Sequence, residues 1–299
     1  MNSQLDNFLV RAEQLLVRLE PLLPQVHPTL DWQTCVAARW CREGRSGYLQ
    51  PLQVDLQLRL SDLLGIDRQC EQLQRNTQQF VAGMPANHAL LWGARGTGKS
   101  SLVRALLAEH APRGLRLIEI ERDHLRDLPR VVTLLGHLPQ RFILFCDDLS
   151  FSAGEDDYRV LKSVLDGSLE AAPDNVLLYA TSNRRHLLPE PQSDNENWQR
   201  VDGELHPNEA VEDKIALSDR FGLWLSFYPF SQEHFLQVVQ HWISVQAEAS
   251  GLHWQWDETL EKAAISWALS RGNRNGRCAY QFARNWVGQQ LLQVPATVK

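Results

Sequence analysis

The stretch Ala89-Leu90-Leu91-Trp92-Gly93-Ala94-Arg95-Gly96-Thr97-Gly98-Lys99-Ser100 decides the fold. Its last eight residues follow the pattern G-x-x-x-x-G-K-[ST]. An apolar run precedes them, and Ser101-Leu102-Val103-Arg104-Ala105-Leu106-Leu107 continues as a helix. Strand, loop and helix in that order are the context in which this pattern cradles phosphate. The glycines let backbone N–H groups curl round a polyphosphate without Cβ clashes. The start of the helix adds a partial positive charge. Lys99 can reach the β- and γ-phosphates, and the Ser100 hydroxyl can ligate Mg²⁺. Gly93, Arg95, Gly96, Thr97, Gly98, Lys99, Ser100 and Ser101 are therefore the expected phosphate-side contacts.

A phosphate loop alone says only that nucleotide binds. Hydrolysis also needs a metal-positioning carboxylate and a placed water. Phe142-Ile143-Leu144-Phe145-Cys146-Asp147-Asp148 offers both, an apolar strand ending in two carboxylates. Ligands of open α/β sheets collect at such carboxyl ends. Asp147 is the expected Mg²⁺ residue, and Asp148 the expected general base for water. The next strand ends Tyr179-Ala180-Thr181-Ser182-Asn183. If the two strands are neighbours, Asn183 lies beside Asp147 and can bond the γ-phosphate or the water.

Outward from these motifs, β-type runs near 88–92, 115–120, 142–147, 176–181 and 223–228 alternate with helical ones. That alternation predicts a mostly parallel sheet between helices, a three-layer α/β core. Leu63-Leu64-Gly65-Ile66-Asp67 leads into a helix ending near Gly83. Before it, Leu5, Phe8, Leu9, Ala12, Leu15, Leu16 and Leu19 are spaced as an amphipathic helix over residues 4–23. A second helix is expected from Asp31 to about Arg42, capped by Asp31 and stopped by Gly44 and Gly47. Its end, Arg39-Trp40-Cys41-Arg42-Glu43-Gly44-Arg45, reads as an exposed helix end with ordinary charges, or as a patch for an anion or partner. Residues 189–213 are polar, acidic and broken by prolines, a surface insertion. Helices follow near 232–249, 257–270 and 277–292, separated by Gly251, Gly272 and Gly276. The expected organisation is an N-terminal helical region over 1–62, a nucleotide-binding core over 63–230 and a C-terminal helical lid over 231–299.

With 299 residues, 43% hydrophobic and 22% charged, the chain has an ordinary soluble balance. A net charge of −6 and a pI near 5.9 give nucleic acid no overall electrostatic support, though a local basic groove would still be compatible. No apolar run approaches the ~18 residues of a membrane span, and the N-terminus lacks a signal peptide's basic and apolar regions. Five dispersed cysteines without a C-x-x-C pair indicate reduced thiols and a cytoplasmic setting. Cys35, Cys41 and His27 are poorly spaced for a metal.

In this order, Gly65-Ile66-Asp67, the phosphate loop, Asp147-Asp148, Thr181-Ser182-Asn183, Asp219-Arg220-Phe221-Gly222 and a helical lid resemble an AAA+ ATPase. Longer phrases resemble the bacterial AAA+ family called domain of unknown function 815, over about residues 35–290. They include Leu63-Leu64-Gly65-Ile66-Asp67-Arg68-Gln69, Leu161-Lys162-Ser163-Val164-Leu165-Asp166-Gly167 and Leu217-Ser218-Asp219-Arg220-Phe221-Gly222-Leu223-Trp224. The resemblance implies ATP with Mg²⁺ as ligands, and adenine contacts around Gly65 and Ile66. It puts Asn183 at the "sensor 1" position and Arg277 at the "sensor 2" position on a lid helix. It makes Arg220 an arginine finger acting on a neighbour's nucleotide, which implies a homo-oligomer, expected as a ring.

Two departures qualify the expected activity. Most AAA+ ATPases carry Glu where this chain has Asp148, one methylene shorter, which implies slow turnover. Protein-unfolding relatives carry an aromatic–apolar–Gly pore loop, whereas residues 121–141 hold no Phe, Trp or Tyr. Two functions from different classes remain. One is an ATPase that remodels or loads a partner, with protein the expected partner class. The other is an ATP-dependent assembly switch with little turnover. A small-molecule kinase would leave Arg220 and the lid without a purpose.

Overall fold

The computed structural model describes residues 11, 13, 14, 29–44, 46–151, 157–166, 173–185, 187, 199–201, 204–206 and 219–293. In chain order the strands are β1 (Ala37–Glu43), β2 (Ser46–Pro51), β3 (Ala89–Gly93), β4 (Leu115–Glu119), β5 (Arg141–Cys146), β6 (Val176–Ser182), β7 (Gln199–Val201), β8 (Glu204–His206) and β9 (Leu223–Phe227). The helices are α1 (Asp67–Val81), α2 (Lys99–His110), α3 (Leu128–Gly136), α4 (Asp157–Asp166), α5 (Gln232–Ser250), α6 (Glu258–Ser270) and α7 (Gly276–Gln293).

Seven strands form one sheet in the order β2-β1-β4-β5-β6-β3-β9, and β7 pairs β8 separately. All neighbours in the large sheet run parallel except β1 and β2. The period of two along each strand sorts side chains to the two faces. Leu90 joins Phe142, Leu144 and the apolar faces of α3 and α4, through Val131, Leu135 and Leu161. Ala89 and Leu91 join Ile143, Leu73 of α1 and Leu102 and Leu106 of α2. Two apolar cores sandwich the sheet, so β6 is buried along its whole length. The predicted three-layer core and its five strand positions are found.

The helix expected over 31–42 is not formed, so the region 1–62 is not helical throughout. Ala37–Glu43 is a strand that lies parallel to β4, with Ala37 opposite Leu117, and turns back antiparallel into β2. Ala37 enters one core while Ala38 and Trp40 enter the other, a strand period that helix-favouring residue types concealed. Gly44, at φ +58, makes the hairpin turn. A Cβ at Gly47 would lie 2.0 Å from the Trp40 ring. Glycines read as helix stops thus serve a hairpin. The charges are spoken for as well: Arg39 pairs with Glu119 and Glu121, and the Trp40 indole N–H donates to Asp127. Cys35 Sγ and Cys41 Sγ each contact an oxygen, of Ala37 and Gln50 respectively. The amphipathic helix over 4–23 lies almost entirely outside the described residues, as does most of the 189–213 insertion beyond β7 and β8.

Buried polar groups tie the layers. Arg116 donates from Nε to Trp32 O at 2.8 Å, and from Nη1 to Ala111 O at 2.9 Å and Leu115 O at 2.8 Å. Burial lowers its pKa from the usual arginine value. The buried Tyr179 hydroxyl meets Asn76 and Thr77 of α1, and burial pushes it up to about 12. His88 Nδ1 accepts from the Leu178 N–H at 2.9 Å. Burial lowers that imidazole to about 4.

The last three helices carry their own core, including Phe235, Val239, Ile243, Leu260, Ala264 and Phe282. Ser231 caps α5 by accepting from His234 N, and Asp257 caps α6 by accepting from Leu260 N. Leu64 and Phe230 pack against this core. No helix among the described residues is long and apolar enough to cross a membrane.

Candidate functional site

Parallel pairing brings the carboxyl ends of β3, β6 and β5 side by side. Trp92 is level with Ser182, and Cys146 with Ala180. The residues that follow those ends, with the start of α2, form the floor of a cleft of about 870 Å³ whose far wall is α5 and α7.

The phosphate loop takes its shape from glycine conformations. Gly93, Gly96 and Gly98 have φ of +132, +76 and +102. A Cβ on Gly93 would lie 2.0 Å from Phe227 O, so β9 can pair there only with glycine. Lys99 is folded back inside the loop, its Nζ donating to Gly93 O at 2.8 Å and Ala94 O at 2.7 Å. Only 7% of the residue is exposed. Burial lowers the ammonium's pKa and Arg95 and Arg277 lower it further, while the Asp147 and Asp148 carboxylates pull it back up.

Ser100 Oγ donates to Asp147 Oδ1 at 2.7 Å. Thr181 Oγ1 donates to the same oxygen and accepts the Asp148 N–H at 2.9 Å. Asp148 has φ +53, the left-handed region, which costs an ordinary L-residue about 1–2 kcal/mol. The Thr181 hydroxyl and a Leu149 N–H to Thr181 O bond of 2.7 Å hold it there. The Asp148 carboxylate accepts from Asn183 Nδ2 and lies 3.6 Å from Arg95 Nη2. Asn183 Oδ1 faces Lys99 Nζ at 3.4 Å.

The far wall meets the loop through few groups. Asn275 Nδ2 donates to Arg95 O at 3.1 Å, and the Arg277 N–H to Gly96 O at 3.3 Å. A Cβ on Gly96 would lie 2.6 Å from the Asn275 side chain, so that close approach needs glycine.

Of the residues expected from sequence, Ile66, Arg95, Gly96, Thr97, Gly98, Lys99, Ser100, Ser101, Asp147, Asp148, Asn183 and Arg277 line this one cleft. Gly93 and Gly65 do not. Gly93 offers its carbonyl to Lys99, and Gly65 leaves room for the His234 ring, which a Cβ would meet at 1.7 Å. Arg220 also lies outside the lining. It precedes β9, whose Leu223 is level with Ala89, so it stands at the sheet's amino edge. About 13 Å of strand separates that level from the phosphate loop, at ~3.3 Å per residue. Two residues with a place in the site had no role from sequence. Thr181 is a polar residue near the end of a mostly apolar strand, and its partner is set by strand pairing. Asn275 carries no motif signal.

The family comparison covers residues 33–290 and matches the model described as "Protein of unknown function (DUF815)". The chain belongs to that family. Comparison with curated proteins returns no relative. Among solved structures, the Orc1 protein of Aeropyrum pernix in complex with DNA aligns over 81% of this chain and 66% of its own, at 14% identity and TM-score 0.53. This chain thus spans just under two thirds of that relative's length. The RuvB Holliday junction branch migration motor of Thermotoga maritima aligns over 76% and 71%, at 13% identity and TM-score 0.43. The family member described here has the AAA+ P-loop fold, with a mixed sheet of seven mostly parallel strands and a helical C-terminal region.

The groups present fit a magnesium nucleotide. Two hydroxyls converge on one Asp147 oxygen, a buried ammonium is enclosed by the loop, and a helix N-terminus faces the cleft. Among the described residues no cluster of three His, Cys, Asp or Glu forms a metal cage.

Proposed function

We propose that this chain binds Mg·ATP in the cleft and hydrolyses it, using the cycle to remodel or load a protein partner as a homo-oligomer. One observation carries the reading: the Ser100 and Thr181 hydroxyls both donate to Asp147 Oδ1 while Lys99, Asn183 and Asp148 line up beside it. Ser100 and Asp147 would hold Mg²⁺, which neutralises phosphate charge when bound. Lys99 and the loop N–H groups grip the phosphates. Ile66 offers an apolar contact to the base. Asn183 orients the γ-phosphate. Asp148 takes the proton of the attacking water, whose oxygen bonds to the γ-phosphorus as the bridging oxygen leaves with ADP. Arg277 senses lid closure. Arg220, at the opposite edge of the sheet from its own phosphate loop, acts on a neighbour's nucleotide.

A second reading, an assembly switch with little turnover, is favoured by the short Asp148 side chain and its contact with Arg95. DNA is part of the Orc1 structure, but a net charge of −6 lends nucleic acid no general support here. The deciding experiment is nucleotide titration with steady-state hydrolysis for the wild type and Lys99→Ala. The variant is expected to keep its circular dichroism spectrum and lose tight ATP binding, by about 10²-fold, since a charge-assisted phosphate contact is worth ~1.5–3 kcal/mol. Unchanged affinity would sink the phosphate-loop assignment.

A further inference from the structure

Arg95 stands where three parts of the site meet. Its carbonyl accepts from Asn275 of the lid side, and its loop encloses Lys99. Its guanidinium lies 3.6 Å from Asp148 Oδ2, with the Arg95 side chain 77% exposed and that of Asp148 58% exposed. Asp148 Oδ1 accepts from Asn183, whose own oxygen faces Lys99. Arg95, Asp148, Asn183 and Lys99 therefore follow one another round the phosphate end of the cleft.

We infer that Arg95 is a catalytic arginine supplied within the chain, which contacts the γ-phosphate during hydrolysis, so that turnover does not wait for a neighbour's Arg220. This rests on the ATPase reading above. An exposed pair to a single carboxylate oxygen is weak. A terminal phosphate offers the planar guanidinium a bidentate, more highly charged partner. Being mostly exposed, the side chain can make that exchange without disturbing the core. Arg95 then neutralises charge on the phosphoryl oxygens while the bond to water forms and the bond to ADP breaks. Arg220, fixed at the other edge of the sheet, cannot do this for its own nucleotide. Arg277 approaches the loop from the lid through its backbone N–H to Gly96 O.

The test measures kcat and KM at protein concentrations where sedimentation shows monomers, for wild type, Arg95→Ala and Arg95→Lys. Wild type is expected to turn over in that limit. Arg95→Ala should lose about 10³-fold in kcat, the scale of an arginine finger, with KM changed less than about tenfold. Arg95→Lys keeps the charge but not the fork, and should recover less than a tenth of the loss. The alanine variant that matches or exceeds wild-type kcat overturns the inference, as does wild-type turnover that vanishes in the monomer limit while ATP still binds. If the alanine variant fails to fold, a lysine variant with wild-type kcat overturns it equally. Wild type that neither binds nor hydrolyses ATP at any concentration removes the underlying ATPase reading, which the Lys99→Ala titration reports separately.

Discussion

The two walls of the cleft are built differently. On the sheet side, Ser100, Asp147, Thr181 and Asp148 are knitted together, with bonds such as Ser100 Oγ to Asp147 Oδ1 at 2.7 Å and the Asp148 N–H to Thr181 Oγ1 at 2.9 Å. Asp147, Asp148 and Thr181 stand at the ends of β5 and β6, strands buried on both faces, and Ser100 opens α2. On the helical side, polar contacts with the rest of the chain include Asn275 to Arg95 O at 3.1 Å, the Arg277 N–H to Gly96 O at 3.3 Å, His234 Nε2 with Leu64 O at 3.0 Å and His241 Nε2 with Asp62 Oδ1 at 3.3 Å. On the proposed reading the first wall sets the chemistry, so it must not shift. The second is joined to the rest by these few polar contacts and by Leu64, while its helices keep a separate core.

The contrast can be broken most sharply at Asp148. Asp148→Asn keeps the shape and tolerates the positive φ, but an amide cannot take a proton. Turnover should fall by about 10²–10⁴-fold, the range for a positioned general base, with Mg·ATP affinity little changed. Retained turnover in a steady-state assay would assign the base elsewhere.

Asn275→Ala probes the other wall. It removes the bond to Arg95 O and the bond from the Cys278 N–H to Asn275 Oδ1 at 2.9 Å, which starts α7. Each is worth about 1 kcal/mol. ATP binding should weaken about fivefold to tenfold by equilibrium titration, with kcat changed less than KM. A larger fall in kcat than in affinity would mean that this wall also sets the chemistry.

A further prediction tests the sheet itself. His88 lies near pH 4 in the folded chain, against about 6.5 unfolded. Its full contribution is present above pH 6.5. As pH falls from 6.5 to 4 the unfolded state takes up the proton first, and about 3 kcal/mol is lost. His88→Asn keeps an acceptor for the Leu178 N–H and has no proton to gain. Urea titrations should show a shallower loss of stability over that window; an unchanged slope would place the titration in another group.

The same division explains what the sequence revealed. The sheet wall needs particular residue types at particular spacings, so Lys99, Ser100, Asp147, Asp148 and Asn183 were legible as motifs. The three C-terminal helices were legible through their glycine stops. The closing contacts were not, because Arg95 O, Gly96 O and the Arg277 N–H are backbone groups that any residue carries. Thr181 sat in a quoted phrase without a role, since only strand pairing brings its hydroxyl to Asp147. The β1–β2 hairpin failed for another reason. Ala37, Ala38, Arg39 and Glu43 favour a helix locally, and the parallel partner that overrides them, β4, is distant in sequence.

Arg116 bears on how much of the chain moves as one piece. Its cation is solvated by carbonyls in place of water, and Trp32 supplies one of them from the segment leading into β1. Withdraw that segment and the guanidinium loses the Trp32 carbonyl, a charge-assisted bond worth about 1.5–3 kcal/mol. The segment leading into β1 is thus tied to β4, and through the pairing of β4 with β5 to the strand that ends at Asp147.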